Sequence, residues 1–173
     1  GTNIWVANFS SNNVTKLKAS DGSLVGTYTV GSNPYAVAFD GTNIWVANSL
    51  SNDVTKLKAS DGSLVGTYTV GTGPYAIAFD GTNIWVTNYN NANVTKLKAS
   101  DGSLVGIYAV GSKPYVIAFD GTHIWVGNYN SHTVTKLNAS DGSLVGTYAV
   151  GSNPTGIAFD GTNICPQWNA ATS

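Results

Sequence analysis

A phrase of 40 residues, written four times over, constrains what this chain can fold into more than any other feature. Gly1, Gly41, Gly81, Gly121 and Gly161 each open a copy beginning GTNI or GTHI, which gives four full copies (1-40, 41-80, 81-120, 121-160) and a 13-residue remnant. A unit of that size cannot enclose a core by itself. The core must be built between copies, and the architecture is a repeat array before it is anything else.

Within a copy, IWVAN (4-8), VTKLKA (14-19), LVGTYTV (24-30) and YAVAF (35-39) read as β-strands. No stretch holds the apolar spacing of a helix, and Gly, Pro or Asn-rich breaks interrupt the chain about every ten residues. Asp21-Gly22 and Asp40-Gly41 are expected to be tight turns, because Asp-Gly tolerates the positive φ that hairpins need. The connections FSSNN (9-13) and GSNP (31-34) are looser, with Pro34 fixing φ at a strand entrance. Four antiparallel strands per copy match the roughly 40 to 45 residues of a β-propeller blade. Trp5, Val6, Leu17, Val25, Tyr28, Tyr35, Val37 and Phe39 occupy both parities of their strands. That pattern is expected where both faces of each sheet are buried, each large side chain contributing about 1.5 to 3 kcal/mol. A β-solenoid is the competing array, but its coils are usually shorter.

PYAVAFDGTNIWVANSLSNDVTKL followed by ASDGSLVGTYTVG resembles the YVTN/NHL group of β-propeller repeats, which includes virginiamycin B lyase-like propellers, over about residues 1-164. The resemblance implies that PYAVAF is the innermost strand A, IWVAN strand B, VTKLKA strand C and LVGTYTV the outer strand D. It implies a fold more than an activity, since relatives include lyases, lactonases and binding scaffolds.

With that labelling the chain starts on B, C, D and finishes on an A strand, PTGIAF (154-159). Pairing the last A strand with the first B strand would close a ring and remove open sheet edges. Either one chain makes a four-bladed ring, or two chains self-associate by exchanging latches into an eight-bladed ring. We favour the second, because four broad blades around a narrow axis would have to splay steeply. Residues 161-165 repeat the opening GTNI and so compete with residues 1-5 at the latch. Pro166 stands where Val6 stood, so the repeats are expected to end at residue 165. Residues 166-173 then form a tail that leaves the ring and packs peripherally through Trp168.

Composition narrows the partners. Eight Lys nearly balance nine Asp to leave a formal charge of -1, with the Lys distributed one to three per copy rather than as a concentrated patch, which argues against a nucleic-acid partner. The Lys side chains are expected at solvated outer positions. Cys165 is alone, so neither an intrachain disulfide nor a Cys-based metal site is expected. No apolar run has membrane-spanning length, so no membrane insertion is expected. A soluble protein, secreted or displayed at the cell surface, remains open: the chain opens on Gly1 rather than Met, as it would after removal of a leader, and Asn8, Asn13, Asn93 and Asn138 lie in Asn-x-Ser/Thr sequons.

No catalytic constellation is legible. His123 and His132 are the only histidines, and no Glu is present to serve as a base or ligand beside them, although the virginiamycin lyase-like relatives would need His, Glu and a metal. Eight of the nine Asp fall in Asp-Gly turns, and no calcium loop or phosphate loop appears, so neither a metal nor another cofactor is expected.

The copies differ mainly in two places. The B-to-C connection reads FSSNN, SLSND, YNNAN and YNSHT, and the pair before Pro reads Ser-Asn, Thr-Gly, Ser-Lys and Ser-Asn. Both connections emerge on one face of a four-stranded blade. The candidate ligand-binding residues on that face are therefore Phe9, Leu50, Tyr89, Asn90, Lys113, Tyr129, Asn130 and His132, which offer aromatic contact area with adaptable hydrogen bonding. A non-enzymatic scaffold presenting this face to a protein, peptide or glycan is the leading expectation. A virginiamycin lyase-like or lactonase-like enzyme at the central channel, or a recently amplified or engineered repeat without a selected ligand, are the alternatives. Loops drifting freely beside invariant tight turns would give the same variation without any ligand.

Overall fold

Residues 1-168 are described by a computed structural model. Three complete antiparallel sheets follow the repeat: β4 (Pro34–Phe39) to β7 (Leu64–Thr69), β8 (Pro74–Phe79) to β11 (Leu104–Ala109), and β12 (Pro114–Phe119) to β15 (Leu144–Ala149). Each is ordered A-B-C-D, as a propeller blade requires. Before them, β1 (Asn3–Asn8), β2 (Asn13–Lys18) and β3 (Leu24–Thr29) supply B, C and D without an A strand. After them, β16 (Pro154–Phe159) supplies an A strand. The innermost strands β4, β8, β12 and β16 lie side by side in that order. The chain is thus all-β and built of propeller blades.

The hairpin turns form as the Asp-Gly pairs predict, with Gly22 at φ 71° and Gly41 at φ 97°. The Asp side chains contribute more than turn propensity. Asp40 Oδ1 accepts from the backbone N–H of Thr42 and Asn43, and its Oδ2 accepts from the Trp45 indole at 2.8 Å. Asp80 and Trp85, and Asp120 and Trp125, repeat the pair at 2.7 Å.

The core lies between blades. Ile44, Val46 and Leu57 face the preceding sheet and pack with Val14, Trp5 and Tyr28, whereas Trp45, Ala47 and Val54 face the following one and pack with Ile84, Val86 and Leu97. That division explains why both strand parities are apolar. Outer D strands and the arc's ends depart from the expectation: Val25 is 43% and Phe39 55% exposed, the first on an outermost strand and the second beside the missing A strand.

The lysines also differ from the solvated positions expected of them. Lys18, Lys58 and Lys98 are exposed, but Lys16, Lys56 and Lys96 are buried. Lys56 Nζ donates to the carbonyls of Ala99 (2.7 Å) and Ser100 (3.0 Å) in the next blade and lies 4.9 Å from the Trp45 ring centre. A buried ammonium is tolerable only with such partners.

Two expectations at the chain ends are corrected. β16 pairs with β17 (Ile164–Trp168) rather than with β1, so one chain does not close a four-bladed ring and the described blades form an open arc. Nor does the chain leave the sheet at Pro166, which pairs with Ile157. β17 has a neighbour on one side only, and an edge strand accommodates a residue that cannot donate. The contact expected of the Trp168 side chain and the path of residues 169-173 lie outside the described residues.

Candidate functional site

The face carrying the B-to-C and D-to-A connections is bound together by backbone hydrogen bonds. Ser49 N donates to Asn33 O, Tyr89 N to Gly73 O and Tyr129 N to Lys113 O, each at 2.9 Å. The two variable connections of each blade are therefore one structural unit.

Each A strand enters this face through a buried proline and then breaks its pairing register, between Pro34 and Ala36, Pro74 and Ile77, and Pro114 and Val116. A bulge leaves one residue outside the alternation and re-aims its side chain. The residues released are Tyr35, Tyr75 and Tyr115, which meet across three blades. Ring centres are 3.6 Å apart for Tyr35 and Tyr75 and 4.5 Å for Tyr75 and Tyr115, and both the Tyr35 and Tyr75 hydroxyls lie within hydrogen-bond range of the Tyr115 hydroxyl.

The loop aromatics extend this cluster outward. Phe9 meets Tyr35 edge-on at 5.9 Å, Tyr89 stacks on Tyr75 at 5.3 Å, and Tyr129 leans on Tyr115 at 5.5 Å. Lys113 Nζ lies 4.5 Å from the Tyr89 ring centre and donates to Asn90 Oδ1 at 2.8 Å. Six aromatic rings, an ammonium and an amide thus form one continuous platform at the inner end of the blades. Because the rings stack on one another, the platform presents a surface of ring faces, edges and hydroxyls. Burial, with the contact to the Tyr115 hydroxyl added, raises the Tyr35 and Tyr75 phenols above their ordinary range, so both remain neutral donors and acceptors at physiological pH.

The predicted residues separate accordingly. Phe9, Tyr89, Asn90, Lys113 and Tyr129 come together. Leu50 is 67% exposed on the loop where Ser49 stands in place of a ring, and Asn130 joins its loop to Ser112 O through its backbone. His132 has a local structural role: at φ 55° its Nδ1 accepts from Asn153 N at 3.0 Å, as Asn12 Oδ1 accepts from Asn33 N and Asn52 Oδ1 from Gly73 N. His123 replaces the turn asparagines Asn43 and Asn83, with Nδ1 3.2 Å from Asp120 Oδ2. Asp120 is held at about 2. Burial alone would raise it, but donation from the Trp125 indole and from the backbone of His123 and Thr122 outweighs that cost. Sequence reasoning missed Tyr35, Tyr75 and Tyr115 by assigning that position to the core; the signal was its place immediately after Pro on the variable face, with Thr155 replacing Tyr in the last copy.

Similarity to solved structures agrees with this architecture. The chain superposes on hydrazine synthase from Kuenenia stuttgartiensis with a TM-score of 0.86 at 20% identity, covering 95% of this chain and 51% of that one. It superposes on a functionally unknown protein from Desulfotomaculum acetoxidans with a TM-score of 0.82 at 16% identity, covering 92% and 56%. A streptogramin B lyase, a propeller of the virginiamycin B lyase-like kind, gives 0.77 at 23% identity, covering 90% and 54%. The chain has the β-propeller repeat fold, and it spans about half the length of each of these solved chains. No protein-family model matches it, and no curated protein matches it in sequence.

Proposed function

We propose that this chain is a non-enzymatic β-propeller module that binds a glycan on the aromatic platform of its variable face. The observation that carries the reading is the convergence of Tyr35, Tyr75, Tyr89, Tyr115 and Tyr129 with Phe9. A pyranose ring offers an apolar C–H face and a rim of hydroxyls. The exposed rings of Phe9 and Tyr35, with the half-buried tyrosines, their hydroxyls, Asn90 and Lys113 beside them, match both parts. The open, surface-like form of the platform suits a polymer segment better than an engulfed small molecule.

The non-enzymatic reading is supported by the absence of Glu from the sequence and by the local tasks of both histidines, one capping a backbone N–H and one bracing a turn. The lyase and hydrazine synthase activities named for the structural neighbours are not carried over, because at 23% and 20% identity those chains share the fold and about half their length is unmatched.

A glycan array probed with the unmodified chain and with Tyr89→Ala/Tyr129→Ala tests this proposal. Both rings lie on loops, so circular dichroism of the variant should be unchanged while array binding falls at least about tenfold, as loss of two aromatic anchors implies. Equal binding by a correctly folded variant, or no glycan bound by either protein, would remove the proposal.

A further inference from the structure

On the variable face one blade-to-blade hydrogen bond is repeated, and at one junction it is left unmade. Each B-to-C loop holds a residue in the left-handed region: Asn12 at φ 54°, Asn52 at 61°, Ala92 at 51° and His132 at 55°. Its side chain reaches the next blade and accepts from the backbone N–H of the residue before Pro. Asn12 Oδ1 accepts from Asn33 N at 2.9 Å, Asn52 Oδ1 from Gly73 N at 2.9 Å, and His132 Nδ1 from Asn153 N at 3.0 Å. Ala92 has no such atom. The donor at that junction is Lys113 N, and among the described residues nothing accepts from it. The neighbouring donor is met, since Ser112 N donates to Ser131 Oγ at 2.7 Å.

The same residue carries a charge. Lys113 Nζ lies 4.5 Å from the Tyr89 ring centre and donates to Asn90 Oδ1, so residue 113 offers an open N–H and an ammonium beside the platform. It directly precedes Pro114 and Tyr115, which places both donors against the rings. Among the described residues no Asp pairs with Lys113. Eight of the nine Asp lie in Asp-Gly turns on the opposite face, and Asp53 accepts from Asn48 Nδ2 in another blade. An acceptor that carries negative charge is what this position lacks.

We infer that the platform takes an acidic glycan, and that Lys113 holds the carboxylate of one of its uronic acid residues. The inference rests on the glycan reading above and adds the class of sugar. One carboxylate oxygen accepts from Lys113 N, in the place that Asn52 Oδ1 takes opposite Gly73 N, and the other faces the ammonium. An ionised carboxylate is an acceptor with two oxygens, and its bonds to N–H donors are stronger than those of a neutral hydroxyl. In a uronic acid it stands on the rim of the pyranose, so the C–H face stays free to lie against Tyr89 and Tyr115. An exposed ion pair alone contributes little, so the backbone N–H sets most of the preference. A neutral sugar uses the rings without this contact.

Hexasaccharides of galacturonate, mannuronate and guluronate, each as the free acid and as the full methyl ester, present the same rings with the carboxylate open or masked. By titration calorimetry, at least one free acid should bind the unmodified chain at least about tenfold more tightly than its ester, and the ratio should shrink as salt is raised. Ala92→Asn supplies the missing oxygen. Asn stands at the same place in two other loops and adopts positive φ more readily than Ala, so the variant should fold with a melting temperature no lower than that of the unmodified chain. It should reduce the acid-to-ester ratio to about threefold or less while ester affinity is unchanged. Lys113→Asn, which matches Asn33 and Asn153, should also lower the ratio. In the unmodified chain the Lys113 backbone amide resonance should move downfield with the acid and stay in place with the ester. Esters that bind as tightly as their acids, or a ratio that survives in Ala92→Asn, would overturn the inference and leave the glycan reading standing. No binding by acids or esters would remove both.

Discussion

Replacing Lys96 with Met asks whether buried lysines join neighbouring blades. Lys96 is 2% exposed; its Nζ donates to Ala139 O at 2.7 Å and Ser140 O at 3.0 Å and lies 4.9 Å from the Trp85 ring centre. Two hydrogen bonds from a charged donor are worth about 1.5 to 3 kcal/mol each, and the cation-π contact adds about 0.5 to 2. Against this gross gain of about 3.5 to 8 kcal/mol stands the cost of burying an ammonium, several kcal/mol, which Met does not incur. Met keeps most of the apolar stem, so little cavity opens. The net expectation is a destabilisation of about 1 to 3 kcal/mol, or a Tm lower by roughly 2 to 12 °C at about 2 to 4 °C per kcal/mol for a chain of this size. Urea unfolding followed by circular dichroism measures it, with Lys98→Met, two residues along and exposed, as a control expected to stay within about 0.5 kcal/mol. If Lys96→Met matched Lys98→Met, or was the more stable of the two, the lysine would not be a blade-to-blade fastener.

Other outcomes follow from single contacts. A Cβ added at Gly111 would lie 2.6 Å from Asn128 Cγ, and Asn128 is fully buried, so Gly111→Ala should cost about 1 to 3 kcal/mol in the same unfolding experiment. Asp120, held at about 2 against an ordinary 3.8, stabilises the fold at neutral pH, and that stabilisation is lost as pH falls from about 4 to about 2. Asp120→Asn should therefore be less stable at pH 7 and should lose less further stability on acidification than the unmodified chain, which pH-dependent urea midpoints would report.

Most of the blade was legible because local chemistry and repeat length agree. The strands expected at 4-8, 14-19, 24-30 and 35-39 occur at Asn3–Asn8, Asn13–Lys18, Leu24–Thr29 and Pro34–Phe39. Where sequence reasoning failed, the deciding contact came from another blade. Lys16 and Lys18 lie on the same side of β2, and strand alternation treats them alike; only the position of the next blade's Ala59 and Ser60 carbonyls separates the buried one from the solvated one. Tyr35 escaped for a different reason: it sits in a bulge, where alternation no longer assigns a face. Of the candidate site, the loop aromatics were legible from differences among copies. The tyrosines beneath them, shared by three of the four copies, were not, since near-constancy within a repeat reads as packing.

The binding proposal is tested most directly by watching the tyrosine rings themselves. The chain would be labelled with 13C in its tyrosine rings and titrated with chitohexaose and cellohexaose, with Tyr28, Tyr68 and Tyr108, packed between blades, as internal references. The account predicts saturable shifts of the Tyr35, Tyr75, Tyr89, Tyr115 and Tyr129 resonances while the reference rings stay still. Unmoved platform resonances with both oligosaccharides, or shifts confined to the reference rings, would contradict it.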